Sequence, residues 1–444
     1  MASAESLGVR LTRLIFVPHH SIVKIVVQGL WHLGCVTAAC CARYFDVVGL
    51  DFDKANIENL KQGKAPLAEP GLHELIATGL ATQKLSFTSD EVQACALADV
   101  LWVTYDTPVD EDDKSDVATV LISIRRALPL LREDVIVLIS AQLPVGTCKS
   151  LEKDFPKLRF ASSPENLRLG KAIDAFAKAE RVVVGTRDDS PRGILSELFA
   201  PFTQQVIFMR TESAEMVKHG INSFLALSIT FINEVARLCE HTGADAKEVA
   251  QGLKSEPRIG QRAYLGPGGP FAGGTLARDV VTLSELGVSV GETLSVIPSI
   301  KQSNDLHRCW SLRRLQSVFG DLRGHTIAVL GLVYTPGTDT LRRSAAVELC
   351  HALFAAGARV QAYDPAVQIL PSEFGCIVLA TNIAEALIGA DAVVVCTEWP
   401  DFRQADWVFL TATMRRKLVI DANRFLEKQL TPVWGVELIS VGRA

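Results

Sequence analysis

The sequence predicts an α/β protein in which two doubly wound parallel-sheet domains are joined by a helical middle domain. Three observations carry that reading. First, the β-branched run 22–27 meets a glycine turn, a small apolar helical stretch and a second apolar run ending at Leu50. Strand, tight turn, helix and strand in that order make a Rossmann-like βαβ unit. Second, the C-terminal part repeats the plan. TIAVLGL (326–332) and ARVQAYDP (358–365) echo KIVVQGL and DVVGLDFD, and residues 390–400 echo 98–108. Third, AEMVKHGINSFLALSITFINEVARLC (214–239) has the periodicity of one long helix. The expected divisions are an N-terminal extension over 1–20, a Rossmann-like domain over 21–210, a helical middle domain over 211–318 and a second Rossmann-like domain over 319–444.

Length and composition set the bounds. A chain of 444 residues exceeds one ordinary core. Hydrophobic residues make up 48%, charged residues 21%, and the net charge is −5, so no basic excess suggests a nucleic-acid partner. No apolar run reaches the roughly 18 residues of a membrane-spanning helix, and no membrane partner is expected. The opening MASAESLGVRLTRLIFVPHH lacks the long apolar core and cleavage site of a signal peptide, and is expected to be a loosely held extension. The ten cysteines show no CxxC spacing, and most sit in apolar surroundings such as AACCA and VVVCT. Reduced, buried thiols in a cytoplasmic protein fit this better than a disulfide framework, and no metal is expected.

Taken in order, Gly29-Leu30-Trp31-His32-Leu33-Gly34 forms the first turn, and Asp51 follows Gly34 by 17 residues at the end of the second strand. A pyrophosphate on the next helix's N-terminus and a carboxylate on a ribose account for this arrangement; a βαβ unit that binds nothing is the plain alternative. Asp51 favours NAD over NADP, because it repels a 2′-phosphate. Trp31, at the usual middle glycine, is expected to crowd the phosphate. Strands over 100–104 and 135–139 end in Asp106-Thr107-Pro108 and Leu143-Pro144-Val145-Gly146-Thr147. In an open α/β sheet such strand ends line the ligand crevice. Lys218 and Asn222, four apart on the long helix, project from one face beside Leu225 and Ile229. Alone, such a lysine snorkels to solvent. Residues 264–279 then hold five glycines and two prolines and end on Arg278-Asp279. Such a backbone can wrap a ligand and turn its N–H groups inward, with an ordinary surface turn as the alternative. A helix over about 279–317, broken or bent near Pro298, is expected to complete a middle domain suited to dimerisation.

These stretches resemble the UDP-glucose/GDP-mannose dehydrogenase family. Gly266-Pro267-Gly268-Gly269-Pro270-Phe271-Ala272-Gly273-Gly274-Thr275-Leu276-Ala277-Arg278-Asp279 is similar to the family's catalytic loop, Gly-Pro-Gly-x-Gly-Phe-Gly-Gly-Ser-Cys-Phe-Pro-Lys-Asp. Residues 65–72 resemble its Pro-x-x-Glu-Pro-Gly-Leu. Residues 163–172 resemble its Ser-Pro-Glu-Phe-Leu-Arg-Glu-Gly-x-Ala, with Leu169 in place of the second glutamate. Residues 331–344 resemble Gly-Leu-Ala-Phe-Lys-Pro-x-Thr-Asp-Asp-x-Arg-x-Ser, with Thr335 for the lysine, and Asp421-Ala422-Asn423-Arg424 resembles the closing Asp-Gly-Arg-Asn. The resemblance implies NAD as cofactor, a nucleotide sugar (a UDP-hexose foremost) as substrate, oxidation of a CH–OH group, and a homodimer. It implies Lys218, Asn222, Asp279 and Glu165 as catalytic residues, with Thr275 at the place of the nucleophilic cysteine. Gly29, Leu30, Trp31, Gly34, Asp51, Thr107, Gln142 and Arg343 fall at cofactor positions, Gln142 standing for a hydroxyl residue. Leu167, Arg258, Tyr264, Gly268, Gly273 and Arg424 fall at substrate positions, Arg258 as the arginine that reaches a sugar across the dimer interface.

The family oxidises a sugar C6 alcohol to a carboxylate with two NAD, holding the aldehyde as a thiohemiacetal. A thiolate readily forms the tetrahedral adduct that gives up the second hydride, whereas an unactivated threonine hydroxyl does not. None of the ten cysteines lies in the glycine-rich loop. The first oxidation needs only a proton acceptor and a stabiliser for the oxygen. The expectation is that Asp279 holds a water or polarises the lysine while Lys218 and Asn222 donate to the oxygen. A single two-electron step to a ketone or aldehyde is then expected. Four-electron oxidation through an aldehyde hydrate placed by Thr275 or Gln142, and a non-catalytic binding homologue, are the alternatives.

Overall fold

The computed structural model describes residues 23–110, 113–165, 167, 169–272 and 274–443, so the extension over 1–20 and Gly273 lie outside the described residues. The first sheet contains β1 (Lys24–Gln28), β2 (Asp46–Leu50), β3 (Leu85–Thr88), β4 (Val100–Val103), β5 (Ile136–Ile139), β6 (Arg159–Ser162), β7 (Val182–Thr186) and β8 (Val206–Met209). Their order across the sheet is β3-β2-β1-β4-β5-β6-β7-β8. Neighbours run parallel except β6 with β7. The chain moves from β1 toward one edge and crosses back at β4, which opens a crevice at the C-terminal ends of these two strands. Strands β4 (VLWV) and β5 (IVLI) are buried at every position, because apolar clusters cover both faces of the sheet.

The second sheet contains β9 (Thr326–Leu330), β10 (Arg359–Tyr363), β11 (Ile377–Leu379), β12 (Ala392–Val395), β13 (Leu418–Asp421) and β14 (Glu437–Ile439). All neighbours are parallel, in the order β11-β10-β9-β12-β13-β14. The internal echo of the sequence is therefore an echo of topology, and it reaches single hydrogen bonds. Gly29 N–H donates to the Leu50 carbonyl at 3.0 Å as Gly331 N–H does to Tyr363 at 2.8 Å. Leu30 N–H donates to Asp51 Oδ2 at 2.7 Å as Leu332 N–H does to Asp364 Oδ2 at 2.6 Å.

Helix α1 (His32–Cys41) covers the first sheet, and its small residues let it lie close to the strands. The middle domain is built on α2 (Thr211–Thr242), which at 32 residues is about 48 Å long. It packs along α3 (Thr275–Ser289) and α4 (Val296–Arg308), and α5 (Trp310–Phe319) follows. The single helix expected over 279–317 is thus three. Pro298 does not break it. That proline lies in the first turn of α4, where its missing N–H has no intrahelical partner to lose. The chain instead turns at 290–295, where Gly291 takes the left-handed conformation (φ 75°). Among the described residues, no helix is long and apolar enough to cross a membrane.

Candidate active site

The crevice beyond β1 and β4 is a cavity walled by all three parts of the chain. Trp31, His32, Tyr105 and Thr107 come from the first domain, Gly274, Thr275 and Arg278 from the start of α3, and Tyr334, Arg342 and Arg343 from the second domain. Its floor fits a dinucleotide. Gly29 has φ 93°, and a Cβ there would lie 2.7 Å from the Tyr105 ring. A Cβ on Gly34 would lie 1.9 Å from the Gly29 carbonyl oxygen, so α1 can start this close to β1 only with glycine at both places. Trp31 sits between them with φ −89°, which any L-residue adopts. Its indole borders the cavity and is 41% exposed.

Asp51 and Asp364 distinguish the two halves. Each oxygen of Asp51 takes one backbone donor, Leu30 N–H or Asp53 N–H, on a carboxylate only partly buried. Asp364 is buried, and its Oδ2 alone accepts from Leu332 N–H, Val333 N–H and Trp399 Nε1. Asp364 Oδ1 accepts from Ala366 N–H, and burial closes it to a ligand, so only the first carboxylate can offer lone pairs to ribose hydroxyls.

Thr275 and Glu165 line the cavity, and Lys218, Asn222 and Asp279 lie directly behind its wall. Lys218 and Asp279 take different partners. Lys218 Nζ donates to the Glu165 carbonyl at 2.5 Å and lies 3.5 Å from Glu165 Oε1, while Glu165 Oε2 accepts from Leu167 N–H at 2.5 Å. Asp279 is fully buried and is bonded instead to Asn222 Nδ2, Gln142 Nε2 and His219 Nδ1. With three donors on it and no exposure, its carboxylate is not placed to hold a reacting water. Gln142, expected to face a ligand, spends its amide inside this network: Nε2 donates to Asp279 while Oε1 accepts from Arg278 Nη2. Arg278 also donates to the Thr107 carbonyl at 3.0 Å, and Thr107 Oγ1 donates to the Gln142 carbonyl at 2.7 Å.

The glycine-rich loop holds the middle of the site, and four of its N–H groups bond the protein rather than turn inward. Gly268 N–H donates to Asn233, Gly269 N–H to Asn423, Phe271 N–H to Asn304 and Gly274 N–H to Asp113. The Gly268 carbonyl accepts from His307 Nε2 at 2.7 Å. Both backbone groups of Gly268 are therefore spent on the protein. What the site needs there is the missing side chain, since a Cβ would fall 2.1 Å from Asn423 Oδ1. Beyond this loop lies a second cleft of about 590 Å³ against the second domain, bordered by Gly269, Ala272, Thr335, Ser344 and Asn423. Tyr264 and Gly268 border an adjoining hollow, and Tyr334 borders this hollow, the second cleft and the first cavity.

Comparison with known proteins agrees with this geometry. Residues 23–203 match the NAD binding domain of the UDP-glucose/GDP-mannose dehydrogenase family, 212–306 its central domain and 328–428 its UDP binding domain. The UDP-glucose 6-dehydrogenase of Rhizobium meliloti (strain 1021) is 33% identical over 440 residues, covering 95% of this chain and 100% of that protein. The chain belongs to the UDP-glucose/GDP-mannose dehydrogenase family. The UDP-glucose 6-dehydrogenase TuaD of Bacillus subtilis (strain 168) is 32% identical, over 95% of this chain and 93% of its own. The structure of a UDP-glucose dehydrogenase from Pyrobaculum islandicum superposes with a TM-score of 0.84 at 28% identity, covering 93% of this chain and 98% of that one.

As a family member the protein is an NAD-dependent nucleotide-sugar dehydrogenase, acting on a CH–OH group. Arg424 and Arg258, both at family substrate positions, lie outside these cavities. Arg424 is buried with Nη1 on Asp245 at 2.6 Å and Nη2 toward the Val441 and Gly442 carbonyls. Its left-handed backbone (φ 58°) accompanies a turn in which Asn423, not Arg424, meets the glycine loop. Arg258 is exposed, bonded to Glu256, and borders none of these cavities. His219, Arg278, Asn233, Asn304 and His307 were not singled out as site residues from the sequence. His219 was the most findable, since it lies three positions before Asn222 and shares its helix face.

Proposed function

We propose that the protein oxidises one CH–OH group of a nucleotide-linked hexose, a UDP-hexose foremost, in a single two-electron step that yields a ketone or an aldehyde. The observation that carries this is Thr275. It opens α3, is exposed in the cavity beside Gln142, Glu165 and Arg278, and no cysteine lines that cavity among the described residues. Cys309 and Cys396 border the second cleft rather than this cavity, and burial pushes the Cys396 thiol up to about 12.

In this reading the N-terminus of α1, Asp51 and Thr107 hold NAD, which accepts the hydride from carbon. The alcohol's proton passes to Glu165, the carboxylate on the cavity wall. Lys218, behind the wall with its amine turned to Glu165, holds that carboxylate in place, and its positive charge steadies the oxygen as its proton leaves. Without a thiolate the carbonyl product is not held for a second hydride loss. Asp279 fixes Asn222 and Gln142 from behind. The second cleft takes the nucleotide diphosphate. Lys301 and Arg308 stand on its wall where Thr335 replaces the family's lysine.

A homodimer is part of the proposal. Phe224, Phe231 and Leu238 recur at seven-residue spacing on α2 and are exposed, an apolar stripe suited to a second copy. Arg258, free of its own chain's cavities, is then available to the partner's. The test of the function is product mass after incubation with NAD and a panel of nucleotide sugars. A product lighter than the substrate by two hydrogens supports the proposal. A carboxylate product supports four-electron oxidation through a hydrate instead. No turnover together with no NAD binding by calorimetry supports the non-catalytic alternative.

A further inference from the structure

The two buried histidines of the middle domain face opposite kinds of partner. His307 Nδ1 receives an N–H from Arg237 Nη1 at 3.3 Å, and its Nε2 donates to the Gly268 carbonyl at 2.7 Å. One donor and one acceptor suit a neutral imidazole. His219 has two acceptors. Its Nε2 lies 3.1 Å from the Leu143 carbonyl oxygen, and its Nδ1 lies 2.7 Å from Asp279 Oδ1. A carbonyl oxygen cannot donate, so Nε2 carries a hydrogen. A lone pair on Nδ1 cannot sit 2.7 Å from a carboxylate lone pair in a space closed to water, so a second hydrogen lies between Nδ1 and Oδ1. Asp279 Oδ2 is taken by the amide N–H groups of Asn222 and Gln142, and Arg278 on the other end of Gln142 fixes which way that amide points.

We propose that His219 is a positioning residue, a doubly protonated imidazolium locked between the Leu143 carbonyl and the Asp279 carboxylate. The pair then has no net charge, and with both Asp279 oxygens bonded and closed to water it is not placed to take the substrate's proton. Asp279 is held as a fixed acceptor that orients Asn222 and Gln142, and the substrate's proton must go to the Lys218–Glu165 side of the wall. This consequence rests on the proposed function, whereas the protonation state does not. The charged groups packed around His219 are Lys218 with Glu165, Glu215 on the Gly146 and Cys148 N–H groups, and Arg278 with Asp106.

Nitrogen NMR on full-length protein labelled at histidine tests this directly. At about pH 8, well above the ordinary histidine pKa, one histidine is expected to keep two protonated ring nitrogens, and the signal should vanish in His219→Gln. Asp279→Asn provides the same assignment should His219→Gln fail to fold, because a neutral amide no longer demands the second proton. A neutral His219 in the native protein at this pH overturns the proposal. In kinetics, His219→Gln should lower kcat by about 10²-fold with KM for NAD unchanged, and an unaltered kcat would overturn the positioning role. An imidazolium present in a protein that oxidises no sugar would leave this inference standing and defeat the proposed function alone.

Discussion

Gln142 is longer than the hydroxyl residue of the family pattern, and its extra reach joins a carboxylate to a guanidinium. One end of the amide serves Asp279 and the other Arg278, both nearly or wholly excluded from water. Gln142→Ser removes both bonds at once. The expected cost is about 1–3 kcal/mol in a denaturant melt, accompanied by a lower kcat. Lys218→Ala should act differently, lowering kcat by about 10²–10³-fold with little change in stability, as initial rates and melts together would show. Lys218, Asn222 and Asp279 could be located from the sequence, because motif and helical spacing bring them to one region. Their partners could not. Spacing places Cβ atoms on a face but does not tell which oxygen a donor finds, and Lys218 found Glu165 rather than Asp279.

The glycine-rich loop was legible as a loop and illegible in direction. Glycine grants freedom, and Asn233, Asn304 and His307, buried on α2 and α4, decide where its backbone groups point. None belongs to the loop, so nothing in residues 264–279 announces them. His307 makes the loop sensitive to acid. Burial lowers its pKa to about 4, below the roughly 6.5 of an unfolded histidine. The unfolded chain therefore binds the extra proton between these values. Stability is full above about pH 6.5 and falls as pH drops toward 4, by about 3 kcal/mol in total. Melting at pH 7 and pH 5 should show the loss in the native protein and a flatter response in His307→Gln. The helix beyond the loop carries a similar lesson. Pro298 looked like the breaker, yet a proline in a first turn costs nothing, and the turn belongs to Gly291.

The repeat of one sheet plan on either side of a helical middle was plain in the sequence, because KIVVQGL and TIAVLGL are local patterns. The ties that make the three parts one site were not. Asp113, buried in the first domain, accepts from Gly274 N–H at the start of α3 and from Arg343 Nη2 of the second domain, and lies 3.8 Å from Lys301 on α4. Asp113 and Arg343 both hold left-handed backbones (φ 65° and 59°), a conformation that costs on the order of 1 kcal/mol and that their contact helps maintain. Asp113→Ala should lower Tm and raise KM for NAD, because the cavity loses its tie between the first and second domains. A variant with native KM would place the junction outside the working site. The assembled molecule is an alcohol dehydrogenase pocket with a threonine hydroxyl where the family has a thiol, and one ratio tests the single-step proposal most directly: NADH formed per nucleotide sugar consumed, followed to completion with NAD in excess. The account predicts one NADH per sugar, and two would contradict it.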